Sequence, residues 1–188
     1  SMGQPLPPVA ITGCGCISAA GIDCNEALET ISQFTVNNRL TSSPFFPDSF
    51  SAPCFFAGEI SQITNSFFRF GGSEDSFFFW NRRFYLVFKA ISEALEMALA
   101  DMEVLREKRV GVALGTTVGS TFHYEDYYLD WKNGTTPDPA VMQHFLSSNL
   151  AAATQDTLKL RGPKAVITNA CASGTDAVGL AAIWLEQG

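Results

Sequence analysis

Leu160-Arg-Gly-Pro-Lys-Ala-Val-Ile-Thr-Asn-Ala-Cys171-Ala-Ser-Gly-Thr-Asp-Ala-Val-Gly179 is the stretch whose reading decides the fold. Lys164-Ala-Val-Ile-Thr-Asn169 is a short apolar run of the kind that forms a buried strand. It passes directly into a helix predicted over 173–187, which closes on Gly188, a residue suited to a helix C-terminus. Cys171 stands at the junction. Ala170, Ala172 and Gly174 are small, so the backbone can turn sharply there and present the sulfur. The first turn of a helix offers unpaired N–H groups and the positive end of the dipole, which favour thiolate over thiol. The same N–H groups can receive the oxyanion of a thioester carbonyl. In isolation such a cysteine would be read as packing; the residues around it change that reading, and Cys171 is the candidate nucleophile.

Working outward, Arg109-Val-Gly-Val-Ala-Leu-Gly115 and Val9-Ala-Ile-Thr-Gly13 read as two further buried strands that end in glycine. After the first of them in the chain, Asp23 precedes Glu26 by three residues, a capping-box pattern, and Ala27, Leu28 and Ile31 supply one apolar helical face. The clearest helix is predicted over 82–102, where Phe84, Val87, Phe88, Ile91, Leu95, Leu99 and Met102 recur at intervals of three and four. Residues 34–80 are irregular and rich in Ser, Pro, Asn and Phe, suiting an excursion on the surface or between subunits. Residues 119–160 read as helical pieces broken at Asn133-Gly134 and around Pro137 and Pro139. Strands alternating with helices point to a parallel, layered α/β sheet.

Composition narrows the function. Of 188 residues, 46% are apolar and 16% charged, which is globular rather than disordered. So few charges for so much apolar surface suggest that part of the chain is covered by something else. A net charge of −7 argues against nucleic acid as a partner. No uninterrupted apolar run is long enough for a membrane span. The N-terminus shows no signal core, and Ser1 ahead of Met2 reads as a remnant of cloning, so a cytoplasmic location is expected. Cys14, Cys16, Cys24 and Cys54 have no paired spacing and read as small apolar residues in a reducing compartment. Neither a CxxC nor a His/Cys cluster is present, so no metal and no soluble cofactor are expected.

Asn169-Ala-Cys-Ala-Ser-Gly-Thr-Asp-Ala177 resembles the active-site segment of β-ketoacyl-acyl-carrier-protein synthases, in which an Ala-Cys-Ala/Thr-Ser signature opens a buried helix. Three other segments resemble that family in the same order. They are Val9 to Gly21, Arg109-Val-Gly-Val-Ala-Leu-Gly-Thr-Thr-Val-Gly119, and Asn149-Leu-Ala-Ala-Ala153 followed by Leu160-Arg-Gly-Pro163. The resemblance runs from residue 9 to 188. It implies a thiolase-like, layered α/β/α/β/α fold, with residues 1–188 covering most of the N-terminal half and the C-terminal half absent. It implies decarboxylative Claisen condensation of an acyl thioester with malonyl carrier protein through an acyl-Cys171 intermediate, in fatty acid or polyketide biosynthesis, by a homo- or heterodimer.

The resemblance also implies that the second half supplies two histidines, a lysine and a glycine-rich loop. Neither His123 nor His144 lies in the family's histidine contexts, so both read as structural or surface residues. The region 119–148 corresponds to one that closes acyl pockets at the dimer interface, making Met142 and Phe145 pocket candidates. The 16 phenylalanines, concentrated between Phe45 and Phe79, could line an acyl channel, but filling the core is the preferred reading. One departure concerns the acyl carrier protein. Where the family often presents basic residues to it, Gly71-Gly-Ser-Glu-Asp-Ser-Phe-Phe-Phe79 is acidic and aromatic, with Arg82 and Arg83 the nearby cations, so docking on this surface is in question. Rival readings are a non-catalytic, chain-length-determining partner, which Cys171 argues against, a truncated inactive acyl-binding fragment, and a thiolase proper.

Overall fold

The computed structural model describes residues 8–33, 40–41, 57–58, 82–117, 125–139 and 149–188. In chain order the named elements are α1 (Cys24–Ser32), β1 (Leu40–Thr41), β2 (Ala57–Gly58), α2 (Arg82–Met97), α3 (Met102–Glu107), β3 (Val112–Gly115), α4 (Glu125–Lys132), α5 (Leu150–Leu158), β4 (Lys164–Ile167), a 3-10 turn (Ala170–Ala172) and α6 (Ser173–Gln187). They belong to two compact units: Ser1–Ala10, Phe70–Phe84 and Asp101–Gly188 form one, and Ile11–Arg69 with Tyr85–Ala100 the other.

In the first unit β3 and β4 pair in parallel, from Val112 opposite Lys164 to Gly115 opposite Ile167. The ladder is prolonged at both ends, by Val110 N–H donating to Arg161 O (2.6 Å) and Thr116 N–H to Ile167 O (3.0 Å). Helices α5 and α6 pack on these strands, as parallel pairing requires of its covering helices. The result is a mixed α/β unit with a small parallel sheet. α5 is buried almost all round, from Leu150 to Gln155 and at Leu158, the pattern of a helix enclosed by its surroundings. Its two buried polar side chains are satisfied locally. Thr154 Oγ1 donates to Leu150 O (2.8 Å), and Gln155 Nε2 donates to Gly162 O (2.8 Å) in the turn that leads to β4. Asn149 caps the helix by accepting from Ala152 N–H (2.9 Å).

In the second unit the expected Asp23 cap of α1 is present. Asp23 Oδ1 accepts from Glu26 N–H at 2.8 Å, while the Glu26 carboxylate reaches back to Ile22 N–H at 3.2 Å. β1 and β2 form a two-stranded antiparallel pair.

Three expectations are corrected. Val9–Gly13 is not a buried strand: among the described residues it joins no ladder, and Ile11 is 83% exposed. Its one glycine serves close approach instead, since a Cβ on Gly13 would collide with the Ala94 carbonyl of α2. The helix expected over 82–102 ends at Met97, and Met102 opens a separate helix, α3. Leu99 takes a left-handed φ of 51°, Leu99 N–H bonds Glu96 O, and Ala100 N–H bonds Leu95 O. That is a Schellman closure with leucine where glycine is usual. Asp101 then caps α3 by accepting from Glu103 and Val104 N–H. Consequently Phe84 and Phe88 are buried as the periodicity demands, whereas Leu99 is 91% exposed. Finally, the strand residues of β3 and β4 are mostly half-buried, and of them only Val112 is buried.

The breaks expected after α4 are present: Gly134 turns the chain with φ 79°, and 135–138 carry no regular structure. Gly188 closes α6 with φ 85°, and its carbonyl accepts from Arg109 Nη1 at 2.6 Å. Met142, Phe145, His123, His144, Cys54 and the phenylalanine-rich segment lie outside the described residues.

Candidate active site around Cys171

β4 delivers the chain to a tight turn, and Cys171 sits in the middle of it, in the 3-10 turn Ala170–Ala172 immediately ahead of α6. The thiol is exposed. The cysteine therefore precedes the α-helix proper by two residues, as the helix expected over 173–187 implies.

What holds this turn is a set of short polar contacts centred on Ser173, a buried residue. Ser173 Oγ accepts from Asn169 N–H at 2.8 Å and donates to Ala170 O at 2.7 Å, with Thr116 O a longer alternative at 3.3 Å. Thr117 Oγ1, just beyond β3, also donates to Ala170 O at 3.2 Å. Ala172 N–H closes on Asn169 O at 3.0 Å. On the outer side Asn169 Nδ2 donates to Asp176 Oδ2 at 2.7 Å, tying the approach to the first turn of α6. Together these bonds keep Ala170 at a left-handed φ of 45°. For an alanine that conformation costs about 1–2 kcal/mol, and such strain persists only where the surroundings over-determine it.

The end of β3 lies against the start of α6. A Cβ on Gly115 would stand 2.6 Å from Gly174 N and closer still to the Ser173 carbonyl group. Only glycine permits that approach, so β3 acts as the floor on which the cysteine turn is built.

Three of the other cysteines lie in the second unit and are not simple apolar filler. Cys14 is exposed, with its N–H and its thiol directed at Met97 Sδ, at 3.4 and 3.6 Å. Cys16 and Cys24 are half-buried beside Glu93 of α2. Glu93 Oε1 accepts from Cys24 N–H (2.7 Å) and Oε2 from Cys16 N–H (2.9 Å). Partial burial pushes the Cys24 thiol up to about 12, reinforced by its hydrogen bonds to Cys16 and Glu93 and by the negative charge of Glu93. A seven-residue gap between the cysteines, with the carboxylate far along the chain, matches no ligand spacing readable in sequence. The constellation became visible only in the fold.

A parallel α/β unit presenting an exposed thiol between a strand and a helix is an arrangement suited to covalent chemistry, and comparison with known proteins gives it a family. The sequence model described as "Beta-ketoacyl synthase, N-terminal domain" matches residues 7–188, and the chain belongs to that family. It is 32% identical over 114 residues to a protein of Streptomyces halstedii named as a polyketide β-ketoacyl synthase, covering 55% of this chain and 27% of that protein. A like-named protein of Streptomyces cyaneus is 34% identical over 107 residues, covering 53% and 25%. A reducing polyketide synthase of Cochliobolus heterostrophus is 30% identical over 137 residues, 71% of this chain and 6% of that protein. The matched segment thus spans about a quarter of the Streptomyces relatives.

Proposed function

We propose that Cys171 is the acyl-carrying nucleophile of a β-ketoacyl synthase, and that residues 1–188 contribute most of the N-terminal half of a thiolase-like, layered fold. The observation that carries this reading is the exposed thiol, held on a strained turn at the end of a parallel strand, inside a segment matched by the family. The Cys171 sulfur attacks the carbonyl of an acyl thioester on a carrier protein, and the carrier thiolate leaves. A malonyl carrier thioester then loses carbon dioxide, and the resulting carbanion attacks the acyl-Cys171 carbonyl. Collapse of that adduct releases a 3-oxoacyl carrier thioester and restores the cysteine. The Cys171 N–H supplies half of the oxyanion hole. Groups that promote decarboxylation come from a complementary segment outside residues 1–188, in keeping with the fraction of each relative that is matched.

The exposed Val178 and Leu185 of α6, 64% and 67% accessible, support the presence of a covering partner, a complementary half or a dimer mate. Among the described residues no helix is long and apolar enough to cross a membrane.

The test is single-turnover acyl transfer from a labelled acyl carrier protein to the full-length polypeptide, followed by peptide mass spectrometry. The acyl group should map to Cys171, and Cys171→Ser should carry none, because a hydroxyl is far less acidic than a thiol and needs an adjacent base. Acylation of another residue at the wild-type rate would refute the assignment. Folded protein that takes up no acyl group would favour the non-catalytic partner reading.

A further inference from the structure

We propose that Cys16, Cys24 and Glu93 form a binding site for a thiophilic divalent cation of the zinc class, remote in function from Cys171 and additional to the condensing chemistry. The two sulfurs and a carboxylate oxygen lie within 4.8 Å of one another. They arrive from three places in one unit: the loop before α1, the first residue of α1, and the middle of α2. A tetrahedral ion with metal–sulfur bonds of about 2.3 Å sets its sulfurs about 3.8 Å apart. From a separation of no more than 4.8 Å the sulfurs close onto such an ion by at most about 1 Å, within reach of side-chain rotation.

The site is preorganised by its backbone. Glu93 is pinned through both oxygens, by Cys24 N–H at 2.7 Å and by Cys16 N–H at 2.9 Å. These same bonds fix the main chain from which the two thiols project. A carboxylate oxygen that accepts one hydrogen bond keeps a second lone pair, so the bonds orient the ligand without consuming it, the role outer-shell partners play in metal centres. A cysteine on the loop before α1 is held in place by glycines that let that loop lie on α2: a Cβ on Gly15 would collide with the Ala90 carbonyl.

The donor set decides the ion. Two thiolates and one carboxylate suit zinc and its borderline-soft neighbours, whereas magnesium and calcium call for oxygen ligands throughout. Three protein ligands leave the fourth position to water. On binding, the two thiols release their protons to solvent and Glu93 ligates as its carboxylate. The complex of a 2+ ion with three anionic ligands then carries one net negative charge.

Cobalt(II) titration of the reduced, chelator-stripped protein under anaerobic conditions is the test, because thiolate ligation to a tetrahedral cobalt ion produces charge-transfer absorption and intense visible bands. One cobalt per chain should bind, and zinc should displace it. Cys16→Ser and Cys24→Ser should each weaken binding about 100-fold or more, since loss of even an outer-shell partner costs 10–100-fold. Cys14→Ser and Cys171→Ser should leave the bands unchanged. Glu93→Gln can unfold the unit by disturbing its backbone clamp, so the cysteine variants decide the matter, each checked for native circular dichroism. Absence of the bands, their survival in the Cys16→Ser/Cys24→Ser double variant, or a Cys16–Cys24 disulfide whose reduction yields no metal uptake would each overturn the proposal. Acylation at Cys171 is read separately, so failure here leaves that assignment standing.

Discussion

Gly115→Ala probes the coupling between β3 and the cysteine turn. The added Cβ would lie 2.6 Å from Gly174 N and nearer still to the Ser173 carbonyl. Ordinary carbon contacts begin near 3.5 Å, so β3 or the start of α6 must retreat by about 0.9 Å or more. Both obstacles are backbone and cannot rotate away. Overpacking of this kind costs about 1–3 kcal/mol, and a backbone clash belongs at the upper end, about 3 kcal/mol. With a urea dependence of about 2 kcal/mol per molar, the unfolding midpoint should fall by about 1.5 M. The displaced residue is Ser173, whose hydroxyl fixes Asn169 and Ala170, so the alkylation rate of Cys171 should change as well. Gly179→Ala is the matched control. It lies within α6 with nothing within 4 Å of its added Cβ, and it should raise stability by about 0.5–1 kcal/mol through helix propensity. A Gly115→Ala protein with an unshifted midpoint and unchanged Cys171 alkylation would show that the strand and the turn are not in contact, and the account of the site would fall.

Other consequences are independent of that one. In metal-free protein at pH 8, limiting iodoacetamide should label Cys171 ahead of Cys14 and Cys24. With its thiol pushed up to about 12, Cys24 should react about 1000-fold more slowly than an ordinary cysteine, and its rate should rise about tenfold per pH unit until that value is reached. Peptide mass spectrometry reads the order, and labelling of Cys14 or Cys24 first would sink the nucleophile assignment. Leu99→Gly should stabilise by about 1 kcal/mol in denaturant unfolding, because the left-handed residue is 91% exposed and has little packing to lose. A loss of stability would mean that the side chain has a partner. Asp23→Ala should cost about 1 kcal/mol by removing the acceptor for Glu26 N–H, and an unchanged melting profile would show that the cap contributes nothing.

Much of the plan was legible because its signals are local. The parallel pair was visible in two short apolar runs, Arg109–Gly115 and Lys164–Asn169, and both contain the observed strands. The cap at Asp23, the break at Gly134 and the closing Gly188 follow from what single residue types do to nearby backbone. The end of α2 was missed because leucine stands where glycine normally marks a Schellman turn. Asp101 was the available sign, as an N-cap residue lying inside an apparently continuous helical period. Val9–Gly13 misled for a related reason: apolar composition does not say whether a strand partner exists, and among the described residues this segment joins no ladder.

By itself, then, the sequence determined the α/β character, the order of strand, cysteine and helix, and the family to which the chain belongs, since each rests on short-range pattern or on motifs in register. Tertiary structure alone decided how the cysteine is held and what else the chain gathers. Ser173 meets Thr116 across 57 residues, and Glu93 meets Cys24 across 69. No local rule encodes such meetings. They arise where packed elements bring distant backbone within hydrogen-bond reach, and glycine at positions such as 15 and 115 allows the approach.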